Sequence, residues 1–465
     1  MVRQLSADFD TQLLLPPCVE DWLGPRHIAR FVREFVRELD LALLGFTVRA
    51  PQLTGRPGYT AELLLSAWIY GYLTRQRSTR NLERACQCDM GAIWLTGNHQ
   101  PDHSTLHNFF RDHRKAFRAL LRQSAILACR MGLVDMQFVA VDGTKLKASV
   151  GGKDSILVKD LEIAVAAIDE QIDKYIAEVE ATGDLPCAQL PESLSDAKKL
   201  REAIARDLAE LKELGASQLS PVDPDARVMQ TRDGLRPAYN AQAAVDSKSG
   251  IVLSASVSLN AHDAGLLDGV MDQVEEDIGV RPDLTAADSG YFSAAQMQLA
   301  EDKGRSIAVS MNGREPAKDE PLHSWLFVHD PERNILVCPI GGELSFRGAG
   351  KAQSGRDPRD RYHCDDHKDC PFAAQCSKSP RGRSVEVGPH RDAALRQWER
   401  QKNLEHRENM KKRSAVVERI FGHVKRNLGL WHLEHRSLEA VEAVWSAILT
   451  STNLRTIYKH WKIAA

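Results

Sequence analysis

Gln137-Phe-Val-Ala-Val-Asp-Gly143 and Leu284-Thr-Ala-Ala-Asp-Ser-Gly-Tyr291 decide how this chain folds. Each is a short apolar run that ends on an aspartate closely followed by glycine. Runs of this length, bounded by turn residues, read as buried strands. Asp142 and Asp288 are therefore expected at the C-terminal ends of two strands.

The flanking sequence supplies the rest of an α/β unit. Tyr239 to Val245 and Ile251 to Val257 read as strands. The polar stretch Asp246 to Gly250 joins them in an antiparallel hairpin. A helix is expected over Asp263 to Asp277, then the strand carrying Asp288, another helix, and a strand over Ser306 to Val309. Beyond Val309, small strands are expected at Ser324 to Val328, Ile335 to Cys338 and Leu344 to Phe346. Helical patterning returns near His390. Leu161 to Glu213 reads as a charged helical hairpin, with Ile168, Ile172 and Ile176 on one face and an interruption around Gly183 to Pro191. The first 130 residues read as mainly helical, with Ser104 as a cap for the helix through Leu106 and Phe110.

This order of elements resembles the ribonuclease H-like fold, a mixed sheet with helices on both sides. The expected organisation is a helical N-terminal domain over 1–130. The first part of an α/β catalytic core covers 131–310, with a helical insertion at about 160–215. A small insertion with a Cys/His cluster covers 311–390. The C-terminal helical part of the core, over 391–465, carries Glu418.

Composition fits a globular protein: 43% hydrophobic and 27% charged residues in 465. No apolar run approaches the roughly 20 residues that cross a bilayer. Met1 to Asp10 lacks the pattern of a secretory signal. These features predict a cytoplasmic protein with no membrane partner. The net charge of −2 hides a strong asymmetry. Asp160 to Asp225 holds 16 acidic against 6 basic residues, whereas Lys378 to Arg426 holds 14 basic against 6 acidic. The basic stretch suits a phosphate-binding face, although a solvated helix has the same signature. No glycine-rich phosphate loop follows a strand, so no nucleotide cofactor is expected.

Two strand-end aspartates and an acid projected from a helix suit phosphodiester chemistry by two divalent ions about 3.5–4 Å apart. Carboxylate oxygens favour Mg²⁺ or Mn²⁺. Glu418 is the helical candidate, beside an apolar face of Val417, Phe421, Val424 and Leu428. Lys411, Arg413, Arg419 and Lys425 surround it with cations that can meet phosphates. Lys145 and Lys147 lie just after the first Asp, where phosphate would pass. Asp233, Asp246, Asp263 and Asp283 remain possible substitutes on periodicity alone. An Asp after a strand is commonly a turn cap, and a Glu in a basic helix is commonly an ion-pair partner.

Asp142-Gly-Thr-Lys-Leu-Lys147, Ala287-Asp-Ser-Gly-Tyr291 and Val417-Glu-Arg-Ile-Phe-Gly-His-Val-Lys425 resemble the three catalytic blocks of DDE transposases from bacterial insertion sequences. Leu15-Pro-Pro-Cys-Val-Glu-Asp-Trp22 and Pro101-Asp-His-Ser-Thr-Leu-His-Asn-Phe-Phe-Arg111 are similar to that family's N-terminal domain. The resemblance implies Asp142, Asp288 and Glu418 as the catalytic acids and a divalent metal cofactor. It also implies double-stranded DNA at terminal inverted repeats and target DNA as partners, with assembly as a homodimer on DNA. Arg419 and Lys425 look like the basic members of the family's signature around the third acid. Tyr291 is either a stacking residue at the DNA flank or part of the core. The alternatives are a metal-dependent nuclease that does not join strands and a non-catalytic DNA-binding protein on the same scaffold.

Of nine cysteines, Cys338, Cys364, Cys370 and Cys376 fall in one segment with His367. They form a candidate structural Zn²⁺ site, with His367 as the alternative ligand. The competing reading is a loop with free thiols. Arg347, Lys351, Arg356, Arg359 and Arg361 make backbone contacts to DNA plausible in the same segment, and Phe346 and Trp325 are candidates for base stacking.

Overall fold

The structure, a computed structural model, describes residues 18–47, 58–150, 156–182, 192–213, 218–219, 222–311, 322–350, 358–377, 379 and 381–464. Its strands are β1 (Val139–Lys147), β2 (Ile156–Leu157), β3 (Gln218–Leu219), β4 (Arg227–Thr231), β5 (Gly234–Asp246), β6 (Val252–Ser258), β7 (Thr285–Ala287), β8 (Ile307–Val309), β9 (Val328–Asp330), β10 (Ile335–Val337), β11 (Glu343–Ala349), β12 (Asp360–Cys364) and β13 (Ser384–Val387). Mixed strand pairing with helices before, between and after the strands gives the expected ribonuclease H-like α/β class. Among the described residues no helix is long and apolar enough to cross a membrane.

The chain forms two compact units. The first comprises 1–135, 143–261 and 418–465; the second comprises 136–142 and 262–417. In the first, β4, β5 and β6 form an antiparallel meander, and the second half of β1 lies beside β5. Thr231 pairs with Gly234 across the β4–β5 turn, where Gly234 takes a left-handed φ of 89°. The expected hairpin is present as β5 and β6. Its turn is held by Asp246, whose carboxylate accepts the Lys248 N–H at 2.9 Å.

Helix Leu438–Ala464 packs on β6 and on helix Arg114–Arg130 in this unit. Small residues on β5 (Ala238, Ala241, Ala243 and Ala244) are fully buried. Trp445 is fully buried and donates its indole N–H to the Gln242 carbonyl at 2.8 Å. Asn453, also fully buried, makes three bonds: its Oδ1 accepts the Val252 N–H at 2.8 Å, and its amide donates to the Val252 carbonyl at 2.7 Å and to the Ser124 hydroxyl at 3.0 Å. One side chain thus ties helix Leu438–Ala464 to a strand and to a second helix. The helix expected over Leu106 and Phe110 runs His103–Asp112, but its cap is Asp102, which accepts from Thr105 N–H at 2.7 Å, and not Ser104. The carboxylate reaches an open amide from one position before the helix; Ser104 is already inside it.

The charged hairpin consists of helices Val158–Thr182 and Glu192–Glu213, joined by an Arg201–Asp169 ion pair and closed at its base by the β2–β3 pair. The interruption expected at Gly183 to Pro191 lies outside the described residues, as do Pro16 and Pro17.

The second unit contains the parallel strands β1 (its first half), β7 and β8. Helices Leu267–Ile278 and Ala294–Asp302 alternate with them. Arg305 is nearly buried between β7 and β8 and is held by Asp268 and Asp272 at 2.5 Å and Glu275 at 2.8 Å. A separate antiparallel sheet, in the order β13-β12-β11-β10-β9, fills the expected insertion. Its first predicted strand, Ser324 to Val328, is instead a 3₁₀ turn over Ser324–Leu326 followed by β9.

Asn453→Ala leaves the Val252 N–H, the Val252 carbonyl and the Ser124 hydroxyl short of a buried partner. A loss of about 3 kcal/mol in unfolding free energy is expected, since each such group costs roughly 1–3 kcal/mol. Urea unfolding of the variant checks this; a change below ~1 kcal/mol would remove Asn453 as the tie between strand and helices.

Candidate active site

Phe138, Val139, Ala140 and Val141 are buried, and Asp142 is the first polar side chain of β1. Val139 pairs with Thr285 and Ala140 with Ala286 in parallel register. Two residues further along each strand stand Asp142 and Asp288. Parallel pairing of equal apolar runs therefore carries both carboxylates to the C-terminal end of β7.

β1 does not stop at Asp142 as the sequence reading expects. It continues to Lys147, because Leu433 N–H bonds to the Lys147 carbonyl at 2.9 Å and Ala148 N–H to the Pro237 carbonyl at 3.0 Å. Lys145 and Lys147 are thus strand residues, and Lys147 is ion-paired with Asp233 of the β4–β5 turn.

The Arg413 guanidinium lies 3.2 Å from the Asp142 carboxylate and also donates to the Val141 carbonyl at 3.4 Å. Its side chain is 12% exposed and that of Asp142 20% exposed, so this pair is largely screened from water. The Arg413 Nε is buried with no hydrogen-bond partner among the described residues.

Asp288 caps a single 3₁₀ turn, Ser289–Tyr291, its Oδ1 accepting the Gly290 N–H at 2.8 Å. Position 290 leaves little room for a side chain. A Cβ there would lie 3.0 Å from Asp288 Oδ1 and 3.4 Å from Asp263 Oδ2. Asp263 therefore shares this corner with Asp288. The helix expected from Asp263 begins only at Leu267, and Asp263 sits in the loop before it, where its carbonyl accepts the Leu266 N–H at 3.1 Å.

Tyr291 is fully buried. Burial pushes its hydroxyl well above the usual tyrosine range. The Asp263, Asp142 and Asp288 carboxylates push it further in the same direction, and Arg413 opposes them. One phenol thus reports three carboxylates and one guanidinium in a common neighbourhood of the second unit.

Glu418 belongs to the first unit, one residue past the boundary. It is exposed on helix Leu404–Gly422, while Val417, Ile420, Val424 and Leu428 are buried along the adjoining face. Lys425 falls in the π-helical turn His423–Asn427 that follows. Arg419 is exposed at the surface but lies against Gly250 of the β5–β6 turn, where a Cβ would run into its guanidinium. Lys411 is exposed.

The other candidates are more dispersed. Asp246 is fully buried as a turn cap, and Asp283 is exposed, its N–H bonded to the Met136 carbonyl at 2.9 Å. Arg347 is ion-paired with Asp365. Trp325 lies under Arg391, 5.5 Å from guanidinium to ring, and Phe346 packs at 5.7 Å on Tyr362. Arg359 and Arg361 are exposed, whereas Lys351 and Arg356 lie outside the described residues. Cys338, Cys364, Cys370 and Cys376 are free and half-buried around the small sheet.

Among the described residues no group of three or more carboxylate, thiol or imidazole side chains already stands in an arrangement that holds a metal. The donor chemistry in the second unit is nevertheless hard oxygen, with Arg413 as a resident cation beside it, which fits a small divalent ion.

Two family matches cover most of the chain. Residues 17–112 match a family described as Transposase domain (DUF772), and residues 217–454 match one described as Transposase DDE domain. No curated protein sequence matches the chain. The second match contains Asp263, Asp288 and Glu418; Asp142 lies between the two. It spans just over half of the 465 residues and holds the parallel strand ending in Asp288. The chain belongs to the transposase DDE domain family.

Proposed function

We propose that this transposase cuts DNA at the ends of an insertion sequence and joins those ends to target DNA, with Asp142, Asp288 and Glu418 as its metal-holding acids. The observation that carries the reading is the parallel register of β1 and β7, in which Asp142 of β1 and Asp288, just past the end of β7, each lie two residues beyond the paired Ala140 and Ala286. A divalent ion, for which oxygen ligands favour Mg²⁺ or Mn²⁺, would supply activation of the attacking oxygen and stabilisation of the leaving one.

The chain's own groups do the remaining work. Asp142 offers oxygen ligands from within β1 and Asp288 from just past the end of β7, where the Gly290 N–H holds the Asp288 carboxylate. Asp263 adds negative charge at the same corner and helps to position the Asp288 carboxylate region. Arg413 neutralises Asp142, which would otherwise repel an incoming phosphate. Lys145, Lys147, Arg347, Lys411, Arg419 and Lys425 are proposed to meet the DNA backbone. In the first step water attacks the phosphorus at the element's end, and the bond to the 3′ oxygen breaks to leave a 3′-hydroxyl. In the second that hydroxyl attacks a target phosphodiester, and the target's own 3′ oxygen leaves. Two ends must be captured for one insertion, so assembly as a homodimer on DNA is part of the proposal.

D142N, D288N and E418Q are each expected to abolish cleavage while leaving folding and DNA binding in place, because the amides keep size and lose the metal-holding charge. D263N is expected to raise the Mg²⁺ concentration needed for half-maximal cleavage without abolishing it. The measurement is cleavage and joining of a duplex carrying the element's end across a Mg²⁺ or Mn²⁺ series, beside a melt and a binding isotherm. Wild-type cleavage by any of the first three, folded, removes that residue from the site. Cleavage without joined product selects the nuclease, and binding without either selects the non-catalytic scaffold.

Arg419→Ala and Lys425→Ala should weaken binding to end DNA and lower the slope of log affinity against log salt by about 1 each, the loss of one phosphate contact. An unchanged slope in a salt titration would leave those side chains without a phosphate.

A further inference from the structure

Helices Ala61–Leu73 and Thr79–Cys88 of the first unit are joined by the short turn 74–78. Thr74 N–H closes onto the Tyr70 carbonyl at 2.9 Å, and Gln76 N–H onto the Gly71 carbonyl at 2.7 Å. Arg75 between them takes a left-handed φ of 68°, which turns the chain back across the helix it has just left. Gly71 permits the close approach: a Cβ there would lie 2.9 Å from the Gln76 carbonyl oxygen and 2.9 Å from a Leu82 methyl. Ser78 then caps the second helix, its hydroxyl accepting the Asn81 N–H at 3.2 Å.

That helix reads Thr79-Arg-Asn-Leu-Glu-Arg-Ala-Cys-Gln-Cys88. Leu82, Ala85 and Cys86 are buried along its inner face. Arg80, Asn81, Arg84 and Gln87 are all exposed, at spacings that put them on one outer stripe. The helix's one acid, Glu83, lies off that stripe and pairs with His103 at 3.1 Å. Among the described residues no ion pair or hydrogen bond engages the four outer side chains. Elsewhere in the unit carboxylates hold the arginines Arg30 (by Glu20), Arg37 (by Glu62, 3.7 Å) and Arg118 (by Glu442, 2.8 Å).

Arg80 and Arg84 stand one helical turn apart, a like-charge spacing that costs the free helix stability and that a polyanion relieves. The types of side chain are also informative. An arginine fork meets the two acceptors on the edge of guanine, and the amides of asparagine and glutamine meet the donor and acceptor of adenine. Lysine, a point charge that suits phosphate as well as arginine does, is absent from the helix. At ten residues the helix is about 15 Å long. The major groove of B-DNA, about 12 Å wide, admits a helix of ordinary diameter.

We propose that helix Thr79–Cys88 reads base sequence in the major groove of duplex DNA through Arg80, Asn81, Arg84 and Gln87. Helix Ala61–Leu73, buried along most of its length, is the support behind it. The inference rests on the reading of the chain as a transposase acting on DNA ends, and it names the part that tells an end from other DNA.

The test is selection of bound duplexes from a randomised DNA library by the full-length protein, without divalent metal, so that no cleavage enters. The wild-type protein should enrich one base pattern. Arg84→Lys and Asn81→Ala should each lose preference at one or two positions of that pattern by about tenfold, the worth of one paired contact to a base. Arg84→Lys keeps the charge and loses the fork, so its affinity for a duplex of unrelated sequence should stay as in the wild type. Arg118→Lys, at an arginine held by Glu442, should leave the whole pattern in place. Should either stripe variant fail to fold, Gln87→Ala reads the same stripe. An unchanged pattern in the stripe variants, an equal loss on every sequence, or a wild-type protein that enriches no pattern overturns the proposal. Equal enrichment from a duplex RNA library also overturns it, since side chains cannot read the deep, narrow major groove of RNA. A pattern that depends on these residues, in duplexes left uncut when Mg²⁺ is added, upholds the reading helix and counts against the cutting and joining reading alone.

Discussion

The backbone ladder of β1 is the constraint on which the rest depends. An interior strand must satisfy its N–H and carbonyl groups on both edges, and β1 finds different partners along its length. Near its start Val139 bonds to the Leu284 carbonyl at 2.9 Å and pairs in parallel with β7. Past its end Ala148 bonds to the Pro237 carbonyl at 3.0 Å. The boundary between the two units falls within this strand, between Asp142 and Gly143. A slip of one residue would turn every side chain of β1 to the opposite face and take Asp142 away from Asp288. Position here is set by hydrogen bonds that no loop could match for rigidity.

Charge is organised differently at the two basic centres of the second unit. Arg305 is almost fully enclosed by Asp268, Asp272 and Glu275, and its guanidinium holds the Asp272 and Glu275 carboxyls below the usual range against the cost of burial. That arrangement is complete and structural. Around Tyr291 stand the Asp263, Asp142 and Asp288 carboxylates and the Arg413 guanidinium, the last 3.2 Å from Asp142.

Much of this was legible from the residues. Apolar runs ending in Asp142 and Asp288, and the β5–β6 hairpin around Asp246 to Gly250, are local signals of burial and turn chemistry, and the strands appear where those signals lie. β4 escaped because Arg227 to Thr231 alternates weakly and borrows its order from β5. The last two strands of the small sheet escaped for a similar reason: Asp360 to Cys364 and Ser384 to Val387 carry few apolar residues, and each is ordered by its neighbour. Asp263 stood among several substitutes with nothing to separate it from Asp233 or Asp283. Its meeting with Asp288 is a tertiary fact, visible only through the crowding at Gly290. Arg413 read as a surface cation because helical spacing shows the face of a residue and not the carboxylate brought opposite to it.

The contact between Gly250 and Arg419 carries a genetic consequence. Gly250 is left-handed at φ 72°, and the space its missing Cβ would need is taken by the guanidinium. Replacement at 250 meets two obstacles of different kinds, one in its own backbone and one in a side chain far away in the sequence. Shortening residue 419 removes only the second. The second obstacle is the far end of an exposed, flexible side chain that can swing aside, so the backbone sets the limit at 250, and asparagine, which bears the left-handed conformation best, should be the first residue admitted there.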